Sequence, residues 1–434
     1  MKEKIKTVIL TFLVLASLVL SYLLWYGAPP YEVSKPITSE RIHFSSSRTL
    51  AEMVTPDRVI YTPEEELYHV FRPGQDLYQA GVNALKAALQ QAQSLQPVTQ
   101  EEGLQAWQGQ GVFLEYQYPY PLGAMAGVEA SLDVAAFYLP PQGEKAWLQT
   151  ATGDYYRLGL QGNGPDRLQR FSGAQGLIAY RKADQSDIPA GMDVTFRRQI
   201  YLPLAELPLP SLQWERENLD YQRLLNVFFI DMSLVRRIEE QDGAVIYTDG
   251  QKGVRIYSGG AVEYTMAGGR GRLLSGERAL SMAGEIIALY GGWSSSLHLW
   301  APPGFASPKA RQKLFFLSYL EGKPLISPEG GISLTMTEMG AQSYFRQLLV
   351  PTAETLTPAA AMAAPLALER ALAYVAAERG VKSVEINGFY PGYYHRQPLS
   401  GQKQILPAWF LEVHRVGLVV IHAGNGNPLA LDSF

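Results

Sequence analysis

Residues 366–380 read LALERALAYVAAERG, and residues 381–422 continue VKSVEINGFYPGYYHRQPLSGQKQILPAWFLEVHRVGLVVIH. The first stretch is helix-like, and the second divides into three β-type segments at Val381–Gly388, Gln404–His414 and Val416–His422. The same order occurs upstream. GERALSMAGEIIALYGG (276–292) is helix-like and is followed by β-type segments at Ser296–Trp300, Lys313–Tyr319 and Gly331–Glu338. A helix followed by a three-stranded meander thus appears twice in topology, although hardly in sequence. The predicted fold class is therefore α+β, with two C-terminal modules that each pack a helix on one face of a small antiparallel sheet. Val350–Pro365, rich in Ala, Pro and Thr, reads as the connector between them.

Toward the N-terminus, ENLDYQRLLNVFFI (217–230) predicts a helix. A meander follows at Ala244–Thr248, Val254–Tyr257 and Ala261–Met266. Asp249-Gly250 and Gly259-Gly260 supply the positive φ that tight hairpins need. The Pro-punctuated LPLAELPLPSL after strand Thr195–Tyr201 marks a boundary. Before it, Leu77, Gly81, Leu85, Ala88, Leu89 and Leu95 lie near one stripe of a helix entered after Pro73-Gly74. Val112–Tyr118, Ala135–Leu139, Lys145–Gln149 and Leu177–Tyr180 read as strands. The expected domains are 51–200, 201–350 and 351–434, carried on a tether at 27–50.

Ahead of the tether, residues 7–26 read TVILTFLVLASLVLSYLLWY, an uncharged run directly after MKEKIK. An α-helix crosses a bilayer core with about 20 mostly apolar residues. Lys2, Lys4 and Lys6 precede the run, and Trp25 and Tyr26 close it where amphipathic rings favour the headgroups. The expectation is a single-pass cell-membrane protein, with residues 1–6 cytoplasmic and the large remainder extracytoplasmic. A cleaved signal peptide is the alternative. Its apolar core would be only about 7–15 residues long, and Gly27-Ala28-Pro29-Pro30-Tyr31 is a poor cleavage site. A retained signal anchor is the better reading.

Composition narrows the function. The net charge of −4 offers no basic field for nucleic acid. With no Cys in the chain, thiolate catalysis, disulfides, a lipidated cysteine and Cys-ligated metals are excluded. The six His form no metal-ligand motif. His414 and His422, on predicted neighbouring strands, lack a third ligand nearby. Ser400-Gly401-Gln402-Lys403 matches SxxK, but it lies in a loop rather than at a helix start, so it reads as a turn. The Gly-rich stretches, among them Gly109-Gln110-Gly111, do not join a strand to a helix as a phosphate cradle requires. Neither a cofactor nor a catalytic residue is expected, although a carboxylate pair assembled from distant residues would be invisible at this level.

The lysine-rich start with its apolar run, the stretch LLNVFFIDMSLVRRIEEQDGAVIYTDGQKGVRIY (224–257) and the ending ILPAWFLEVHRVGLVVIHAGNG (405–426) together resemble the YycH (WalH) family. The ending, with Leu406-Pro407-Ala408-Trp409, is also similar to the companion family YycI, which makes 351–434 a YycI-like domain. The resemblance implies a non-enzymatic regulator that acts with YycI on the sensor histidine kinase WalK (YycG) of a cell-wall two-component system. It implies contacts through transmembrane helices as well as through the exported domains, and it leaves a homodimer open. On a helix, Thr7, Thr11, Val14, Ser17 and Ser21 share about a third of the circumference. Small and hydroxylated residues are favoured where helices associate in lipid, so these five are the candidate interaction face. Tyr390, Tyr393 and Tyr394 are a candidate contact surface outside the membrane. The rival expectation is an anchored extracytoplasmic binding protein or enzyme acting on cell-wall fragments.

Overall fold

The structure, a computed structural model, describes residues 6, 10, 13–20, 44–123, 131–161, 168–267, 271–302, 312–328, 330–357, 361–396 and 405–432. It separates into a unit of residues 1–42 and a unit of residues 43–434. In the first unit, residues 13–20 are helical, with every side chain exposed except the half-buried Ala16. Among the described residues no helix is long and apolar enough to cross a membrane.

The second unit is a mixed α+β structure built mainly on antiparallel sheets. Its first sheet uses β1 (Arg58–Glu64), β2 (Leu67–Phe71), β3 (Ala92–Val98), β4 (Gly111–Pro121) and β5 (Asp133–Leu139). It continues with β6 (Lys145–Thr150), β7 (Tyr155–Leu160), β8 (Tyr180–Lys182) and, after β9 (Asp193–Phe196), β10 (Tyr201–Pro203). The order across the sheet is β10-β8-β2-β1-β4-β5-β6-β7-β3. Helix α1 (Asp76–Gln90) covers one face, burying Tyr78, Val82, Leu85 and Ala88 with Val59, Val112 and Leu114. Gly81 lets the helix approach closely, since a Cβ there would stand 2.5 Å from a Val59 methyl. The expected helix overshoots: α1 ends at Gln90, and Leu95 belongs to β3, paired antiparallel with β7. Pro97 fits β3 because the strand lies at the sheet edge, where a missing N–H costs no ladder bond. The short helix α2 (Gln100–Ala106) follows, capped by Thr99, whose Oγ1 accepts from the Glu102 N–H.

The remaining elements are β11 (Ser211–Arg216), α3 (Tyr221–Phe228), β12 (Arg236–Glu239), β13 (Val245–Thr248), β14 (Lys252–Ile256), β15 (Val262–Met266) and α4 (Gly276–Leu289). Next come β16 (Leu297–Trp300), β17 (Lys313–Leu320), β18 (Lys323–Ile326), β19 (Ile332–Thr337), β20 (Gly340–Arg346) and β21 (Leu349–Thr357). Helix α5 (Ala364–Arg379) then leads into β22 (Ser383–His395), β23 (Ile405–Val413), β24 (Gly417–His422) and β25 (Pro428–Asp432). The predicted connector 350–365 contains β21, which pairs with β11 and sets Trp214 opposite Pro351.

Both helix-led runs feed one continuous sheet, β12-β13-β14-β15-β20-β19-β17-β18-β22-β23-β24-β25. The join is a short parallel pairing of β18 with β22, Leu325 opposite Tyr393 and Ile326 opposite Tyr394. Helix α4 buries Ala279, Leu280, Ala283 and Ile287 in the same core as α1. Helix α5 has Pro365 in its first turn, stops at Gly380 (φ 62°), and buries Leu368, Leu372 and Val375 with Trp409, Leu411 and Ile421. Each such side chain contributes about 1.5–3 kcal/mol by leaving water. Ile200, Leu202, Leu207 and Leu209 join this core too, so the stretch around residue 200 packs beneath the last helix.

Tyr390, Tyr393 and Tyr394 are buried, not a contact surface. β22 lies inside the sheet with both faces covered, and the apparent exposure of FYPGYYH comes from its Pro-Gly step, which the strand absorbs at Pro391↔Trp409 and Gly392↔Ala408.

Burial holds the imidazoles of His298 and His395 down to about 4, with Arg48 adding to the effect at His298. Both take protons more readily in the unfolded chain, so their contribution is intact above the unfolded value of about 6.5 and is lost as pH falls toward 4. Each is worth on the order of 3 kcal/mol across that window. His395→Leu should therefore lose less stability than the parent chain between pH 6.5 and pH 4, as read by urea denaturation at a series of pH values. Equal losses in the two proteins would refute the assignment.

Candidate functional site

Two sheets must meet somewhere, and here they meet through charge. The strap of residues 193–203 begins as β9, parallel to β22 with Val194 opposite Val384, and ends as β10 on the edge of the first sheet. Between the two, Arg198 donates to Asp57 (2.9 Å) and to Glu115 (3.0 Å). Arg58 donates to the same Glu115 oxygen at 2.6 Å and to the Gln199 carbonyl at 2.7 Å. Burial pushes the Glu115 carboxyl up, but the two guanidiniums more than offset it and hold it below the usual range. Beside this network Glu412, 1% exposed, accepts from Tyr390 Oη (2.6 Å) and from Gln117 Nε2 (2.8 and 2.9 Å). Burial raises its carboxyl above the usual range. Gly388 makes room for it, since a Cβ there would lie 2.9 Å from Glu412 Oε2.

A cleft of about 1000 Å³ opens beside the seam, on the face of the first sheet away from α1. Trp107 and Phe113 line the cleft, and Phe113 belongs to a cross-strand aromatic row in which it stacks on Tyr138 at 4.7 Å and Trp147 follows at 5.7 Å. Trp107 lies 6.0 Å from Phe113 and 5.9 Å from Tyr138. Gly109 and Gly111 are small because Tyr138 occupies the space a Cβ would need; that steric role explains this Gly-rich stretch. Around the cleft stand Glu65, Tyr68, Gln149, Arg181, Lys182 and Tyr201. Arg181 is held by Asp187, and the Lys182 ammonium sits 5.0 Å over the Tyr68 ring. Thr62 is only 4% exposed, lines the cleft, and its hydroxyl has no hydrogen-bond partner among the described residues. Burial pushes the Tyr138 hydroxyl up to about 12, so it stays protonated at neutral pH. With flat aromatic surface, paired cations and a spare hydroxyl, the arrangement is suited to binding.

The segment that leads into this unit is clamped. Arg48 donates to the carbonyls of Leu297 (3.0 Å) and Ser294 (2.8 Å) and lies 4.5 Å over the Trp293 ring. The Phe44 N–H donates to the Ala288 carbonyl at 2.9 Å. Gly284 and Gly292 leave the space that Arg48 and Phe44 fill.

Of the residues predicted to form an interaction face, Val14 and Ser17 are exposed on the helical residues 13–20, whereas Thr7, Thr11 and Ser21 lie outside the described residues. Ser400–Lys403 lies outside them as well. His422 pairs opposite Ala408 and His414 sits in the following turn, so the two do not face each other. Among the described residues no three His, Asp or Glu side chains converge as metal ligands. The seam residues Arg198 and Glu412 went unnoticed in the sequence. Glu412 carried a signal, a lone carboxylate inside the apolar strand AWFLEV.

Fold and site define an α+β protein whose two large sheets meet at a charged seam beside a cleft. Residues 3–124 match the family described as "YycH protein, N-terminal domain", so this part of the chain carries a YycH-family domain. The match falls on the N-terminal part, which takes in the lysine-rich start and apolar run but neither 224–257 nor 405–426. The crystal structure of YycH from Bacillus subtilis superposes with a TM-score of 0.59 at 13% identity, over 89% of this chain and 98% of that one. At that identity the likeness is one of fold. An uncharacterized protein from Eubacterium rectale is 11% identical over 58% of this chain and 94% of its own, and its TM-score of 0.35 is too low to argue from. No curated protein matches the sequence.

Glu412→Ala leaves Tyr390 Oη and Gln117 Nε2 buried without an acceptor and should cost about 2–4 kcal/mol. Glu412→Gln keeps an acceptor, removes a buried charge, and should cost less than about 1 kcal/mol. Chemical denaturation of both variants beside Glu412→Met, which fills the space without a strong acceptor, separates a hydrogen-bonding role, where Met costs nearly as much as Ala, from simple space filling, where Met is as mild as Gln.

Proposed function

We propose that the chain is a membrane-tethered, non-enzymatic regulator that modulates the sensor histidine kinase WalK (YycG) together with YycI. The match of residues 3–124 to the YycH N-terminal domain supports this reading, and so does the uncharged run 7–26. The structural observation that carries it is the clamp at Arg48. Phe44 and Arg48, which fall within the expected tether of residues 27–50, are fixed to α4 and its following turn. A load or displacement on the tether would therefore reach the large sheet directly.

A regulator shifts its target only if it binds two kinase states unequally. In this reading the signal anchor, with a cytoplasmic N-terminus, sets a helix against the kinase or YycI. Thr7, Thr11, Val14, Ser17 and Ser21 form the packing face, and the extracytoplasmic domains bias which state is favoured.

A second reading, an anchored extracytoplasmic binding protein or enzyme acting on cell-wall fragments, draws on the cleft with its unpaired Thr62 hydroxyl. Exchange of residues 7–26 for an unrelated membrane helix separates the two readings. Kinase-dependent transcription should change on the exchange, and also on the triple replacement of Thr11, Ser17 and Ser21 by Leu, which should in addition weaken co-purification with the kinase. Unchanged transcription and pull-down in both variants would reject the regulator reading.

A further inference from the structure

The outer strand of the long sheet is β12, and among the described residues no strand pairs with its free edge. All four of its residues are exposed. Natural edges are commonly protected by charge, and β12 is charged, but its charges have an order. Residues 236–240 read Arg-Arg-Ile-Glu-Glu, two cations and two anions arranged antisymmetrically about Ile238. An antiparallel copy of the same strand, centred on Ile238, would set Arg237 against the partner's Glu239; Arg236 would stand by the partner's Glu240, whose carboxylate already pairs with Arg255 of its own chain at 2.7 Å, so the Arg237–Glu239 pairs carry the complementarity.

The backbone selects the same register. Across the β12–β13 hairpin the Glu240 N–H donates to the Ala244 carbonyl, and Arg237 and Glu239 stand opposite Tyr247 and Val245. Hydrogen-bonded and non-hydrogen-bonded pairs alternate along an antiparallel ladder. The N–H and C=O groups of Arg237 and Glu239 are therefore the ones aimed outward. Three two-fold registers are centred on these residues. Centring on Arg237 sets arginine against arginine, and centring on Glu239 sets glutamate against glutamate. Centring on Ile238 joins the outward groups of Arg237 to those of the partner's Glu239, twice, by four backbone hydrogen bonds. Arg237 and Glu239 already pair within the strand at 2.5 Å, 53% and 66% exposed. Their common face lets the two pairs combine into a square of alternating sign without breaking either. Leu234, 69% exposed just before the strand, adds apolar surface at each end.

We propose that β12 is a homodimerisation edge, on which a second copy of this chain pairs antiparallel about a two-fold axis at Ile238. The contact is short, so association is weak and favoured by a high local concentration. The absence of native cysteine makes a direct test available. In the Ile238-centred register residue 238 faces its own symmetry mate in a non-hydrogen-bonded pair, where Cα atoms lie about 4.5 Å apart, within the range a disulfide spans. The full chain carrying Ile238→Cys, in membranes under mild oxidation, should form a disulfide-linked dimer. Ile246→Cys, on the neighbouring strand and the same face, should not. Adding Arg237→Glu to Ile238→Cys should reduce the cross-link at least about fivefold, and adding Glu239→Arg as well should restore it. Equal cross-linking at 238 and 246, or a yield indifferent to Arg237→Glu, would overturn the proposal. Failure of the double charge exchange to restore the yield would do the same, since the dimer requires the paired order rather than either charge alone.

Discussion

Arg198 is the residue on which the arrangement of the second unit turns. A guanidinium withdrawn from water must be matched by carboxylates, or the fold carries an uncompensated buried charge. Its two carboxylates belong to the first sheet's side, Asp57 in the bend just before β1 and Glu115 on β4, and the strap that carries it is paired to β22 of the second. The register of β9 on β22 and the place of β1 and β4 are thus set by one charge balance. Glu412 repeats the device from the opposite side, a carboxylate on β23 answered by an amide on β4. Hydrophobic area alone would let two sheet faces slide, whereas short directional bonds to ionised groups do not.

The clamp at Arg48 and the buried Arg346 extend the same logic. Arg346 grips Glu217 through two 2.6 Å bonds and reaches the Gly292 carbonyl at 2.8 Å, tying the segment before α3 to the turn after α4. From Phe44 the chain passes α4 and enters the first sheet, held at Arg48 and again at Arg58. In the proposed regulator this would be a stiff path, along which a small bias at one end is felt at the other.

Much of the fold was legible in residue order. α4 and α5 followed from helical period, and the β13–β14–β15 meander from Asp249-Gly250 and Gly259-Gly260, because these signals are local. What was not legible depends on distant partners. β11 with β21, β18 with β22, and β9 with β22 are short pairings with little period of their own, and β21 was hidden by the Pro and Thr that suggested a connector. Leu95 continued the apolar stripe of α1 although its strand answers to β7. The tyrosines of β22 looked like surface because aromatic residues near Pro-Gly usually mark a turn; only the neighbouring strands bury them. The cleft could not be read at all, since Thr62, Phe113 and Arg181 come from three strands with no common motif.

The strap also imposes an order in time. Asp193 and its partner Ser383 are 190 residues apart in the chain. As the polypeptide is made from its N-terminus, the first sheet can close around Arg58, Glu115 and Arg198 while β9 still has no strand beside it. Long-range pairings of this kind slow folding, and an unpaired strand left open is a template for wrong partners. Maturation of this protein is thus governed by its last quarter: until β22 arrives, the first sheet holds half of a seam.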